Sequence, residues 1–157
     1  MTRHYGRASS GQRVHDAVPE NWGRNVTVLG ALSCQGLDAV MTIENAADAA
    51  VFGAYVTEVL APTLQPGDVV VMDNLSTHKV QGIRDVIESK DASLVYLPAY
   101  SPDYSPIEPC WSKLKTRLRA MKARSRDALD EALSEAIETV TARDAQGWFI
   151  HCGYSFD

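Results

Sequence analysis

The segment Asp68-Val-Val-Val-Met-Asp73 places four consecutive apolar residues between two aspartates. A strand without polar alternation has apolar side chains on both faces, so it needs cover above and below and belongs at the centre of a layered fold. The flanking sequence can supply that cover. Upstream, from Ala47, Val51, Tyr55 and Val59 recur every four residues, widened by Phe52 and Val56 and closed by Pro62; this is the pattern of a helix that buries one face. Downstream, Ile83, Val86 and Ile87 share helical spacing within residues 81–90, and Ser93-Leu-Val-Tyr-Leu97 reads as a short strand stopped by Pro98. Ahead of all these, residues 25–33 and 37–43 are rich in β-forming side chains and joined by Cys34-Gln35-Gly36, which predicts an antiparallel hairpin. After a Pro- and Tyr-rich loop, Ile107, Trp111, Leu114, Leu118 and Met121 form one helical stripe. A last helix carries Leu129, Leu133, Ile137 and Val140, with cap residues in Ser125-Arg-Asp127 and its latest end at Gly147. A hairpin followed by alternating helices and strands predicts an α/β chain, a mixed sheet flanked by helices, with ligands at the carboxyl ends of its parallel strands.

The 157 residues suit one domain spanning 1–157. With 45% apolar and 22% charged residues, disordered and fibrous classes are excluded. No run approaches the roughly 18 apolar residues of a membrane span, and the opening residues lack a signal peptide's apolar stretch, so a cytoplasmic protein with no membrane partner is expected. Cys34, Cys110 and Cys152 are odd in number and have no C-x-x-C spacing, which argues against a disulfide framework and a zinc knuckle. The net charge of −5 conceals a block: Lys113, Lys115, Arg117, Arg119, Lys122, Arg124 and Arg126 fall within 14 residues containing no acid. Removing those seven positive charges leaves −12 for the rest of the chain. Such asymmetry fits one polyanion-facing surface on an acidic body, or else a solvated helix face.

Two acids stand where chemistry is expected. Asp73 ends the apolar strand, where it can form an Asx-turn or N-cap or serve as an oxygen ligand for a hard cation. Glu108 opens the helix behind the stiff approach Leu97-Pro-Ala-Tyr-Ser-Pro-Asp-Tyr-Ser-Pro106. There the helix dipole stabilises a carboxylate by about 0.3–1 kcal/mol, so a structural role competes here too. Asn74, His78 and Lys79 follow the strand-end acid, placed to contact phosphate or support a metal site, although a loop histidine is more often simply hydrogen-bonded.

The runs Val71-Met-Asp-Asn-Leu-Ser-Thr-His-Lys79, Leu97-Pro-Ala-Tyr-Ser-Pro-Asp-Tyr-Ser-Pro-Ile-Glu108 and Trp111-Ser-Lys-Leu-Lys115 resemble the DDE transposases of bacterial insertion sequences related to mariner elements. The 34 residues between Asp73 and Glu108 match the separation of the second and third acids in that family. The resemblance runs from about Tyr5, where Tyr-Gly-Arg-Ala8 is also similar, to about Tyr154. It departs at Ser105, where the family usually has Asn, and at Ala99, where it usually has Pro. The resemblance implies a ribonuclease-H-like fold whose three acids bind two divalent ions, Mg2+ or Mn2+, for strand cleavage and strand transfer in DNA transposition. Asp73 and Glu108 are then catalytic metal ligands. DNA, as element ends and target, is the implied partner, met by Asn74, His78, Lys79, Lys113, Lys115, Arg117 and Arg119. A homodimer and an upstream-encoded N-terminal transposase segment are the protein partners considered. The family's first acid precedes the Tyr-Gly-Arg-Ala stretch, and only Met1 to His4 do so here. Asp16 follows that stretch and does not take the place. An N-terminally truncated catalytic domain is therefore expected, with its first strand missing or incomplete, lacking the N-terminal DNA-binding region and inactive alone. The alternative is a non-catalytic, DNA-binding or dimerising remnant; a junction resolvase is disfavoured by the Ser-Pro-x-x-x-Pro-Ile-Glu approach.

Overall fold

A computed structural model gives the structure of the protein and describes residues 7–15 and 25–156. Asp16, Trp22 and the first four residues lie outside the described residues.

The predicted hairpin forms from β1 (Val26–Ser33) and β2 (Gly36–Glu44), paired antiparallel. The register slips between Leu29 opposite Met41 and Ala31 opposite Asp38, so β2 carries an extra residue. Ala39 sits in that bulge with φ +48°, the left-handed conformation such an inserted residue adopts. Opposite the bulge, Gly30 lets Trp111 approach, since a Cβ there would lie 3.3 Å from the indole.

Helix α1 (Ala49–Tyr55) starts at Asp48, whose side chain accepts the Val51 N–H at 2.9 Å. It continues as a π-helical turn over Val56–Leu60 and a 3-10 turn over Ala61–Thr63. This loosening falls where Pro62 cannot join an α-helical ladder. Strand β3 (Val69–Met72) runs parallel to β4 (Ser93–Tyr96), with α2 (Ile83–Glu88) between them in sequence.

Cover on both faces of β3 was expected, and the structure corrects this. Val70, Met72, Leu94 and Tyr96 pack into the core with α1 and α2, while Val69 and Val71 remain 58% and 38% exposed and Val95 47%. The reason lies in the pairing. Among the described residues β3 pairs only with β4 and β1 only with β2, so the sheet is split into an antiparallel ribbon and a parallel pair. A cavity of about 730 Å3 lies between them, lined by residues 28–33 of β1 and by β3.

The chain continues through α3 (Ile107–Met121), α4 (Arg126–Glu138) and α5 (Ala142–His151). The single last helix expected from the sequence is thus two. Ser125 caps α4 by accepting the Ala128 N–H. A new start follows at Thr141, whose hydroxyl accepts the Asp144 N–H while Asp144 accepts the Thr141 N–H, a capping box strong enough to end one helix and begin another. Gly147 lies inside α5 and ends nothing.

Two cores result. One joins α1, α2, β3 and β4; the other joins α3 and α4 with Val140. The hairpin is their shared wall, because its pleat sends alternate side chains to opposite faces: Leu29, Ala31 and Met41 pack on the first core, Val28, Leu32 and Leu37 on the second. Among the described residues no helix is long and apolar enough to cross a membrane.

Candidate active site

Asp73 is delivered by the end of β3. The Leu97 N–H donates to the Met72 carbonyl at 2.8 Å, so the ladder closes just before the acid and releases β4 into the proline-rich approach to Glu108. Asp73 Oδ1 accepts the Leu75 N–H at 3.2 Å, which is the Asx-turn expected of a strand-end aspartate. The same oxygen lies 2.5 Å from His78 Nδ1. His78 ends a 3-10 turn over Ser76–His78. Its ring stacks on Phe52 with centroids 4.2 Å apart, and its carbonyl accepts the Tyr96 hydroxyl at 2.8 Å.

Glu108 occupies the first turn of α3, held by its N–H to the Ser105 carbonyl at 3.1 Å and by buried Pro106. The approach loop is tied down at its far side, where the Tyr154 hydroxyl donates to the Tyr104 carbonyl at 2.9 Å.

Asp73 and Glu108 come from different cores yet line the same cavity between the sheets. Both also line a second cavity of about 340 Å3, shared with Asn74, Tyr100 and Ser105. Asp73 Oδ2 has no hydrogen-bond partner among the described residues, and Glu108 is exposed. Two such carboxylates on separate rigid elements are a fitting donor set for a hard divalent cation, which takes oxygen ligands. Among the described residues, no group of three or more His, Cys, Asp or Glu converges to hold a metal ion.

The other predicted residues divide. Asn74 lines the mouth beside Asp73. His78 turns inward, its side chain 21% exposed, and lies on a core phenylalanine instead of a surface. On α3, Lys113 Nζ donates to the Thr139 carbonyl at 2.6 Å and to Asp144 at 2.7 Å, tying α3 to the α4–α5 junction. Arg117 pairs with Glu135 at 2.9 Å across to α4. Lys79 and Lys115 are exposed and Arg119 is half-buried; among the described residues none of the three has an ion-pair partner.

Electrostatics separate the inert groups from the available ones. Burial pushes the Cys110 thiol up to about 11 and raises the Tyr55 hydroxyl, which is sealed in the wall of the larger cavity with no hydrogen-bond partner among the described residues. The hydrogen bonds from Lys113 and Thr141 hold the Asp144 carboxyl well below the usual carboxylate range.

Sequence reasoning missed Phe52 and Tyr96 as the residues that contact His78. Phe52 carried only a core signal, as a member of an apolar stripe. It also missed Tyr100, fully exposed with φ +58° at the mouth of the smaller cavity.

Residues 1–130 match the family described as DDE superfamily endonuclease. The chain is similar to the Tcb2 transposable-element transposase of Caenorhabditis briggsae, 23% identical over 122 residues, which are 75% of this chain and 45% of that protein. Its fold matches that of the Mos1 mariner paired-end complex with Mn, with a TM-score of 0.73 and 17% identity over 99% of this chain and 52% of the other. The Mos1 strand transfer complex gives a TM-score of 0.69 and 18% identity, again over 99% of this chain and 52% of the other. The chain spans about half the length of these relatives. The fold is therefore the ribonuclease-H-like α/β fold of a transposase catalytic domain, as the sequence resemblance implied.

Proposed function

The chain belongs to the DDE superfamily endonucleases, and on that premise we propose that it is the single catalytic domain of an insertion-sequence transposase, in which Asp73 and Glu108 bind Mg2+ or Mn2+. The observation that carries the reading is that these two acids, from separate cores, line one cavity. A pair of divalent ions, when bound, supplies activation of an attacking oxygen and stabilisation of a leaving oxygen for in-line displacement at phosphorus. The chain's own part is to hold the carboxylates on a strand end and a helix start, and to offer Lys79, Lys115 and Arg119 to DNA phosphates, with Asn74 at the mouth. Water's oxygen bonds to phosphorus as the bond to the 3′-oxygen breaks, the water's proton passing through solvent to the departing 3′-oxygen. The resulting 3′-hydroxyl, giving its proton to solvent, then bonds to a target phosphorus as that phosphorus's bond to the target 3′-oxygen breaks, and the target 3′-oxygen leaves as a hydroxyl.

One feature of the described residues supports an added strand. The facing strands β1 and β3 are unpaired with each other across an apolar cavity. This suits an added strand, for which an upstream-encoded transposase segment is the proposed source, bringing the third acid. The 157-residue chain alone then binds Mn2+ without turnover. The test incubates it with Mn2+ and supercoiled plasmid, beside an Asp73→Ala control, and measures Mn2+ binding in parallel. Wild-type binding that is lost in the control, without nicking, is the expected result. Nicking that disappears in Asp73→Ala would show a complete site in this chain. Binding that survives both Asp73→Ala and Glu108→Ala would remove the metal assignment.

A further inference from the structure

We propose that His78 is a positioning residue that fixes the Asp73 carboxylate for metal binding; this rests on the reading of Asp73 as a ligand. Asp73 needs such a partner because its side chain is 46% exposed and would otherwise sample several rotamers in water. Oδ1 accepts the Leu75 N–H at 3.2 Å and lies 2.5 Å from His78 Nδ1, which leaves Oδ2 as the oxygen without a protein partner among the described residues. A carboxylate engaged through one oxygen offers the other in a set direction, as hydrogen-bonded ligands do at metal sites.

The imidazole is itself anchored. Its ring lies on Phe52, 6% exposed in the first core, and its backbone carbonyl is held by the Tyr96 hydroxyl at the end of β4. A continuous path therefore runs from α1 through Phe52 and His78 to Asp73. Nδ1 is sealed from solvent and has no aligned hydrogen bond, although Asp73 Oδ1 is its close neighbour. Two bare lone pairs would repel strongly at 2.5 Å. The proposed donor is therefore an Nδ1–H, which a small turn of the ring brings into line with Asp73 Oδ1. This assignment differs from a phosphate-binding role, for which the ring would have to face outward.

Mn2+ titrations of the 157-residue chain, followed by electron paramagnetic resonance, separate the possibilities. His78→Phe keeps a ring on Phe52 and removes the donor, so it should weaken Mn2+ affinity about tenfold with an unchanged far-UV spectrum. His78→Asn returns an amide N–H near the Nδ1 position and should restore most of that loss. Wild-type affinity in His78→Phe, with affinity lost in Asp73→Ala, overturns the positioning role and leaves the metal reading standing. Wild-type affinity in Asp73→Ala overturns both. Equal loss in His78→Phe and His78→Asn overturns the hydrogen bond as the cause. Independently of any variant folding, the 15N shifts of His78 in the wild-type chain should report a protonated Nδ1, and a bare Nδ1 overturns the proposal.

Discussion

Lys113 and Lys115 stand two residues apart on α3 and have different fates, because an α-helix turns neighbouring side chains about 100° apart. Lys113 is drawn to the Thr139 carbonyl and Asp144, whereas Lys115 stays in solvent. Asp144 in turn closes the Thr141 capping box. Its folded-state carboxyl is held low chiefly by Lys113, so it contributes stability above the unfolded carboxylate range, near pH 3.9. That contribution is lost as pH falls toward the folded value. In urea melts, Asp144→Asn should be less stable than wild type by about 1 kcal/mol at pH 7, the worth of a cap. The gap should shrink steadily below about pH 4. A gap that stays constant down to pH 2 would mean that the carboxylate charge does not contribute.

At the scale of an element, α3 does three tasks with three faces. Cys110, Leu114 and Leu118 are buried in the second core, Lys113 and Arg117 reach α4 and the junction beyond it, and Glu108 opens the helix at the cavity. Lys115 and Arg119 are the predicted α3 cations without an intramolecular partner among the described residues. Replacing both with Ala should weaken duplex binding and flatten its salt dependence, by up to about 0.9 in log–log slope for each phosphate no longer neutralised. Replacing Arg117, whose pair with Glu135 is about half exposed and of small worth, should do less. Binding measured across a salt series checks both, and an unchanged slope in the double variant would return this face to ordinary solvated surface.

For the molecule as a whole, the two acids belong to different cores, and the hairpin between those cores sets their relation. Leu32 packs on the second core and Leu29 on the first, and neither belongs to the acid pair. Leu32→Ala should cost about 1–3 kcal/mol, below a fully buried leucine because the side chain is only partly covered. It should also weaken Mn2+ binding by loosening the wall that holds Asp73 and Glu108 together. Leu133→Ala, within the second core, serves as the control: an equal or larger stability loss with a smaller effect on Mn2+. Wild-type Mn2+ affinity in a folded Leu32→Ala chain would detach the hairpin from the site.

Neighbours along the chain were enough to settle the local features. The hairpin, the strand ending at Asp73, the helix beginning near Glu108 and the cap at Ser125 all follow from spacing, β-branching and side chains that reach their own backbone within a few residues. The break before Thr141 was local as well, but an apolar stripe continuing to Val140 concealed it, since periodicity records which face is buried and not where the ladder stops. Long-range packing was needed to settle which cations of the basic block are neutralised, that His78 faces Asp73 from a seat on Phe52, and that β3 meets a cavity on one side where its apolar run predicts cover. Each of these depends on partners far away in sequence, and apolar or charged character states that a side chain needs a partner without saying which one it finds.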